Sequence, residues 1–187
     1  MIYRILLIAT LLFSMNYTVA QEDSRPEIGF DLAMGFSKNG GNFGIGPKYK
    51  FAAMNPSIAW GPSLRFQHVW ANNFQTGQST SYTIYGGGAF LHYRIENIIY
   101  LGAEVEFLHT PINFTFVSSP SWVPTAFVGG GLSKSWDFFR INAGLMYDVI
   151  NHNNSPFRSS YFLSKTDGSG NKALLPLIYR FSFFFEI

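Results

Sequence analysis

Residues 175–187 read Leu-Pro-Leu-Ile-Tyr-Arg-Phe-Ser-Phe-Phe-Phe-Glu-Ile, and a large apolar side chain occupies every second position of this stretch. Arg180, Ser182 and Glu186 stand on the alternate positions. Successive side chains of a β-strand point to opposite faces of the sheet. The period of two therefore predicts a strand with one strongly apolar face and one mixed face.

Seven earlier stretches repeat this alternation, and no window shows the recurrence of an amphipathic helix. The predicted strands lie near residues 28–36, 43–51, 58–70, 81–95, 99–107, 123–133 and 139–149. One phase carries almost only large apolar side chains, whereas the other is small or polar and holds nearly all of the strand charge. The charged residues of the polar phase are Asp31, Lys48, Lys50, Arg65, Arg94, Glu104, Glu106, Arg140, Asp148, Arg180 and Glu186.

The apolar phase is too extensive to be left in water, and only the small and polar phase fits a narrow interior. Lipid is the solvent that suits the apolar phase, and a closed sheet leaves no unpaired backbone edge in lipid. We therefore predict an all-β fold, an eight-stranded antiparallel up-and-down transmembrane β-barrel.

The predicted connections alternate in length. Those at 52–57, 96–98 and 134–137 are short, and those at 37–42, 71–80, 110–122 and 151–173 are mostly longer and rich in Asn, Ser, Gly and Pro. Outer-membrane barrels have short periplasmic turns and longer outer loops. Both ends of the barrel are therefore expected in the periplasm.

The first residues follow the order of a secretory signal peptide. Met1–Arg4 is a short basic start, Ile5–Phe13 is a mostly apolar run, and Thr18–Ala20 offers small residues for cleavage. The apolar run is too short for a membrane helix, which needs about 20 residues. We predict a cleaved signal peptide at 1–20 and one barrel domain at 21–187, located in the outer membrane of a Gram-negative-type cell.

Composition excludes several classes of protein. The formal net charge of +2, from 13 basic and 11 acidic residues, is too balanced for a nucleic-acid-binding protein. The chain has no cysteine, which excludes disulfides, thiolate metal sites and a lipid anchor on cysteine. Charged residues make up 13% of the chain, about half of the share in an ordinary soluble domain.

Two glycine triplets, Gly86–Gly88 and Gly129–Gly131, each precede a short turn, and the chain ends on the aromatic strand Tyr179–Ile187. Together with the strand pattern of 21–187, these features resemble the small outer-membrane barrels of the OmpA-transmembrane-domain and OmpX type and their Bacteroidota relatives. The resemblance implies that the barrel-assembly machinery reads the terminal strand during biogenesis. It also implies that outer-membrane lipid and lipopolysaccharide surround the wall. These families more often end on Phe than on Ile.

The interior of an eight-stranded barrel is just wide enough for side chains. Six positive and five negative residues on the polar phase predict a plug of paired charges, and a narrow pore for small solutes is the alternative. Glu104 and Glu106 lie about 7 Å apart on one strand face, which would suit an acid/base or metal pair. Because no His stands at a convincing ligand spacing, we expect neither a metal nor a cofactor.

Some barrels of this size modify lipid A, with a His, a Ser and an acid near the outer rim. The candidates here are His109, or His152 with Asp148 and Ser155. The chain lacks the His-x-Ser pattern of the deacylases, and loop His and Ser residues are more often merely solvated. We therefore predict a protein that is not an enzyme, with a lipid A-modifying enzyme as the alternative.

The connection at 151–173 is the longest and is expected to face the cell exterior. Connections of that length are uncommon unless they are functional or disordered. We predict that its apolar and cationic residues contact another macromolecule, and these residues are Pro156, Phe157, Arg158, Tyr161, Phe162, Leu163 and Lys165. The turn-like tip at 167–171 predicts a hairpin that extends the last two strands. The alternative is a lid that folds its aromatic residues over the barrel mouth.

Two prolines, Pro47 and Pro62, fall within predicted strands and cannot donate a ladder hydrogen bond. A turn centred on Met54 and Asn55 would place 46–47 opposite 61–62. The second hairpin is therefore predicted to contain a local weak point.

These observations lead to one predicted function and two alternatives. We predict a structural or interaction protein, such as a subunit of an envelope complex, that engages partners through its outer loops or its barrel wall. The alternatives are the lipid A-modifying enzyme and the narrow pore.

Overall fold

The computed structural model describes residues 25–37, 40–72, 79–112, 118–158, 161–166 and 172–187. The predicted signal peptide at 1–20 and the predicted turn at 167–171 lie outside these ranges. The strands are β1 Glu27–Ser37, β2 Gly40–Lys50, β3 Ile58–Asn72, β4 Ser79–Ile95, β5 Ile99–Ile112, β6 Ser118–Trp136, β7 Phe139–Asp148, β8 Leu163–Thr166, β9 Lys172–Leu175 and β10 Leu177–Glu186.

Eight of these strands close into one barrel in the order β1-β10-β7-β6-β5-β4-β3-β2. Every neighbouring pair is antiparallel, and the first and last barrel strands meet with Phe30 opposite Phe183. The predicted eight-stranded antiparallel up-and-down barrel is confirmed. Within the described ranges, no helix is long and apolar enough to cross a membrane.

The side chains alternate between a buried lumen and an exposed outer wall. In β5, for example, Leu101 and Val105 are exposed whereas Glu104 and Glu106 are buried. The phase of β6, which the glycine triplet obscures in the sequence, is set by buried Phe127. The outer wall is therefore mainly apolar, and the lumen holds most of the charged side chains of the strands, as the alternation predicts.

One end of the barrel is formed by tight connections, and we refer to it as the short-turn end. Between β4 and β5, the Ile98 amide donates to the Ile95 carbonyl at 3.0 Å. Glu96 and Asn97 in this turn have φ angles of 47° and 57°, the left-handed pair of a type I′ hairpin turn, whose twist matches that of the strands. We refer to the opposite end as the long-loop end.

Several predicted connections are in fact paired strand. Lys134 faces Ile141 and Trp136 faces Phe139 in the β6–β7 ladder, so the turn predicted at 134–137 is shifted towards the C-terminus. At the long-loop end, β3 and β4 are paired as far as Asn72. Asn, Ser and Gly residues continue a ladder wherever the neighbouring strand supplies its backbone partners, and composition alone therefore understates strand length.

The two glycine triplets occur where neighbouring strands approach too closely for a side chain. A Cβ added at Gly86 or Gly88 would lie 2.1 Å or 1.8 Å from a carbonyl oxygen of β5. A Cβ at Gly129 or Gly131 would lie 2.0 Å or 2.1 Å from a carbonyl oxygen of β7. The glycines thus allow the tight coiling of the barrel wall.

The register of β2 against β3 pairs Lys48 with Ser63. Continued along both strands, it brings Pro47 opposite Leu64 and Pro62 opposite Tyr49. The prediction that 46–47 lies opposite 61–62 is therefore wrong by two positions, because the turn centres one residue later than expected.

The Phe51 amide donates to the Trp60 carbonyl at 3.1 Å in the same register. Because hydrogen-bonded pairs alternate along an antiparallel ladder, both prolines fall at positions where an amide would donate. The carbonyls of Leu64 and Tyr49 therefore receive no amide hydrogen from the residue opposite. These two missing ladder hydrogen bonds lie where the sequence predicts a local weak point in the second hairpin.

A separate two-stranded sheet, β8 with β9, stands at the long-loop end. Leu163 faces Leu175 and Thr166 faces Lys172. The predicted hairpin is present, but it extends only the last strand, from which Pro176 separates it. The described residues between β7 and β8, 149–158 and 161–162, follow another path, described below.

Candidate functional site: the filled lumen and the outer rim

The middle of the lumen contains a network of charged side chains that is balanced in sign. Lys48 Nζ lies 2.9 Å from Asp31 Oδ2 and 2.6 Å from Glu104 Oε1. Arg65 Nη2 lies 2.6 Å from Glu106 Oε1 and 3.3 Å from Asp31 Oδ2. We refer to Asp31, Lys48, Arg65, His92, Glu104, Glu106 and Arg180 as the central network.

Arg180 and His92 complete the central network around Glu104. Arg180 Nη2 lies 3.1 Å from Glu104 Oε2 as an ion pair, and His92 Nε2 lies 3.0 Å from Glu104 Oε1. The side chains of Arg180, His92 and Glu104 are at most 1% exposed. Three cationic side chains thus face three carboxylates out of contact with solvent, where only pairing makes charge tolerable.

A second ionic group lies nearer the short-turn end and is organised by Glu27. Arg94 donates two hydrogen bonds to the Glu27 carboxylate, at 2.6 Å and 2.7 Å, in the bidentate geometry typical of Arg–carboxylate pairs. Lys50 Nζ lies 2.9 Å from the same carboxylate and also donates to the Arg25 carbonyl. We refer to Glu27, Lys50 and Arg94 as the end cluster.

Aromatic rings separate these ionic groups. Phe90 and Phe184 pack with ring centroids 5.8 Å apart. Lys48 of the central network lies 4.9 Å from the Phe90 ring, and Arg94 of the end cluster lies 4.9 Å from the Phe184 ring. The cations are thus stabilised by ring faces as well as by carboxylates, and the lumen is filled in layers.

Three residues predicted for the charge network need correction. Arg140 is half-buried at the short-turn end, where it donates to Ser133 Oγ at 3.0 Å and to Asn97 Oδ1 at 2.6 Å. Glu186 is exposed at the end of β10, where the barrel no longer encloses it. Asp148 is fully buried at the other end of the lumen and bonds to no described cation.

Asp148 is a hydrogen-bond anchor for the chain that follows β7. Its carboxylate accepts hydrogen bonds from the amides of Ile150 and Asn151, at 3.2 Å and 2.9 Å. It also accepts hydrogen bonds from the hydroxyls of Ser155 and Tyr161, at 3.1 Å and 2.9 Å. Burial raises the pKa of the Tyr161 hydroxyl above its ordinary value, so Tyr161 remains a donor. The four hydrogen bonds hold the segment over the mouth.

The aromatic residues of this segment turn into the barrel. Phe157 is 2% exposed and packs edge-on against Phe127 with centroids 4.9 Å apart. Its ring lies 5.7 Å from the Arg65 guanidinium and 5.9 Å from that of Arg180. We refer to Pro156, Phe157 and Tyr161, all buried, as the mouth plug. These three residues of the predicted contact loop are thus turned away from any partner in this structure, because the barrel mouth offers their apolar rings a dry surface, and their placement is the one that the lid alternative describes.

Phe162 points the other way, over the rim. Its ring stacks on Tyr179 of the outer wall, with centroids 4.1 Å apart. Phe162, Leu163 and Tyr179 are 37%, 43% and 57% exposed, and we refer to them as the rim patch. Arg158 is partly buried, and the Lys165 side chain lies outside the part of the chain described.

Of the residues considered for catalysis, Ser155 and Asp148 meet, and among the described side chains no hydrogen bond joins either of them to the ring of His109 or His152. His109 stacks on Tyr85 and packs edge-on against Trp122 at the outer wall, with ring centroids 4.9 Å and 5.4 Å away. His152 is exposed, and its Nδ1 accepts a hydrogen bond from the Asn154 amide at 3.0 Å. The Ser155 hydroxyl donates directly to Asp148. Across the described ranges, no group of three His, Asp or Glu side chains could hold a metal ion.

Two members of the lumen groups escaped prediction from the sequence. Glu27 immediately precedes the predicted first strand, yet it shares the phase of Asp31 and would have been found by extending the alternation. His92 lies between Phe90 and Arg94 on the polar phase of β4, and the same rule assigns it to the lumen. The mouth plug carries no such signal, because it follows no strand period.

Comparison with family models, with curated proteins and with solved structures found no match to this chain. The function is therefore inferred from the geometry of the barrel itself.

Proposed function

We propose that the chain is an outer-membrane β-barrel that acts as a non-enzymatic structural or interaction protein, as a subunit of an envelope complex would. Residues 1–20 direct its export, the barrel-assembly machinery inserts it, and outer-membrane lipid with lipopolysaccharide surrounds its wall. The observation that carries this proposal is the filled lumen: the interior that would serve transport is occupied by paired charges and aromatic rings. The apolar outer wall supports the membrane location.

The filled lumen argues against the pore alternative. Below the mouth plug, Arg65 and Arg180 are at most 2% exposed and form ion pairs with carboxylates, so an ion would have to break buried pairs to pass. In planar bilayers at neutral pH, we expect the inserted protein to give no unitary conductance steps above baseline. Regular, reproducible steps would favour the pore.

The rim patch is the surface that we propose for partner contact, since the mouth plug is turned inward. An exposed aromatic group at a rim supplies the kind of anchor on which protein interfaces depend. Its partner is proposed to be another envelope protein.

Site-specific photocrosslinking from Leu163 in native outer membrane tests this role. We expect Leu163 to crosslink to a protein, and the double variant Phe162→Ser with Leu163→Ser to lose most copurification of that protein. The matched control is Met54→Ser with Phe138→Ser, which removes two exposed apolar side chains from the short turns. The control should retain the partner.

Two results would contradict the rim patch as a contact site. One is crosslinking to lipid or lipopolysaccharide alone. The other is full copurification with the Phe162→Ser and Leu163→Ser variant, provided that its heat-modifiable migration shows an intact barrel.

A further inference from the structure

One charged side chain departs from the pattern of the barrel. Among the Lys, Arg, Asp and Glu side chains described in the eight barrel strands, Lys134 alone stands on the outward-facing phase, and it is exposed. No described carboxylate forms an ion pair with it. A lysine on the lipid side of a barrel is costly near the bilayer centre and nearly free at the headgroups. Lys134 lies two residues before the end of β6, at headgroup depth under the proposed topology.

Beside Lys134 the outer wall has a groove of about 450 Å³. Its walls are mainly apolar, from Ile98, Leu132, Trp136, Ile141 and Ala143, and Lys134 is also among the residues that line it. Leu132 faces Ala143 across the β6–β7 ladder, and the small side chain of Ala143 leaves room that a larger residue would fill. An apolar groove with one cation in its lining complements a molecule that has a hydrocarbon chain and an anionic head.

We infer that this groove binds one phospholipid of the periplasmic leaflet, with an acyl chain against Leu132 and Ala143 and the phosphate on Lys134. The inference rests on the membrane location proposed above, which puts the short-turn end in that leaflet. Trp136 stands next to the cation, where an indole fits the membrane interface. The chemistry favours a lipid over a protein partner because a single unpaired cation at headgroup depth matches a phosphate.

Native mass spectrometry tests the inference. The barrel is inserted into nanodiscs of phosphatidylethanolamine and phosphatidylglycerol and released in mild detergent, and the phospholipids retained per barrel are counted. We expect one retained phospholipid, an affinity about fivefold lower in Lys134→Gln, from the loss of one lysine–phosphate attraction, and recovery in Lys134→Arg. Ala143→Leu should also lower retention, because it fills the groove. The matched control, Lys172→Gln, removes the same charge from the distant hairpin and should leave retention unchanged.

Equal retention in Lys134→Gln, Ala143→Leu and wild type overturns the inference, as does a loss that Lys172→Gln reproduces. A photocrosslinker at Leu132 that captures a protein in native membrane, and no phospholipid, also overturns it. Failure of the proposed membrane location is distinguishable, because the wild-type chain would then not enter the nanodiscs. A barrel that inserts but retains no phospholipid contradicts only the lipid site.

Discussion

Replacing Arg65 by methionine is expected to destabilise the barrel by about 3–5 kcal/mol, the usual cost of breaking a buried ion pair from one side. Among the side chains that the structure describes, the Arg65 guanidinium is the cation that forms an ion pair with Glu106, at 2.6 Å. Asp31 would keep Lys48 and Arg180 as partners, whereas Glu106 would be left as an uncompensated buried charge. Urea unfolding of the barrel in lipid vesicles measures the difference.

The double variant Arg65→Met with Glu106→Met separates this charge effect from lost packing. Both partners of the pair are then apolar, and a buried ion pair replaced in this way is often neutral in stability. We expect the double variant to regain at least half of the stability that Arg65→Met loses. If the double variant loses as much stability as Arg65→Met and Glu106→Met lose separately when added together, pairing within the central network contributes little and the plug is held by packing.

The substitution Gly88→Ala is expected to prevent folding or to cost about 3 kcal/mol or more, the upper range for overpacking. An alanine Cβ at this position would lie 1.8 Å from the Val105 carbonyl oxygen and 2.7 Å from Glu106 Cα. These are backbone atoms of the paired strand, so no side-chain rotation relieves the contact. Heat-modifiable migration after refolding, followed by urea unfolding, measures the effect.

The neighbouring substitution Gly87→Ala provides a matched control. Its Cβ would meet the Ser63 carbonyl oxygen at 3.0 Å and the movable Leu64 side chain at 3.1 Å. We expect a clearly smaller loss of stability than for Gly88→Ala. Equal losses at the two positions would mean that the glycines matter for chain flexibility, not for the close approach of β4 and β5.

The barrel itself could be predicted from the sequence because its signal repeats at every strand. The alternation around Phe181 and Phe183, or around Glu104 and Glu106, reports directly which side chains share a face. Closure was predicted from the proposed membrane location, because a sheet in lipid must pair every edge. Strand ends were less predictable. Asn, Ser and Gly stretches at the long-loop end join the ladders because tertiary partners are present.

The candidate site could be predicted only in part, and for a physical reason. Charges such as Lys48 and Glu104 lie on the lumen phase, so their meeting follows from period and closure. The inward turn of Phe157 follows from neither. It depends on the space left at the mouth beside Phe127, which closure of the barrel creates, and on Asp148 accepting hydrogen bonds from residues that follow it, which no strand period indicates.

The proposed membrane location depends on which face of β7 meets lipid, and site-directed labelling compares the two faces directly. Leu145 is 42% exposed on the outer wall, whereas the adjacent Met146 is fully buried in the lumen. Cysteine is placed at one position at a time and labelled in the unfolded state with a small fluorophore, and the barrel is refolded into vesicles containing brominated lipid. We predict strong quenching by brominated acyl chains at 145 and little at 146. Equal quenching at both positions, or none at 145, would contradict it.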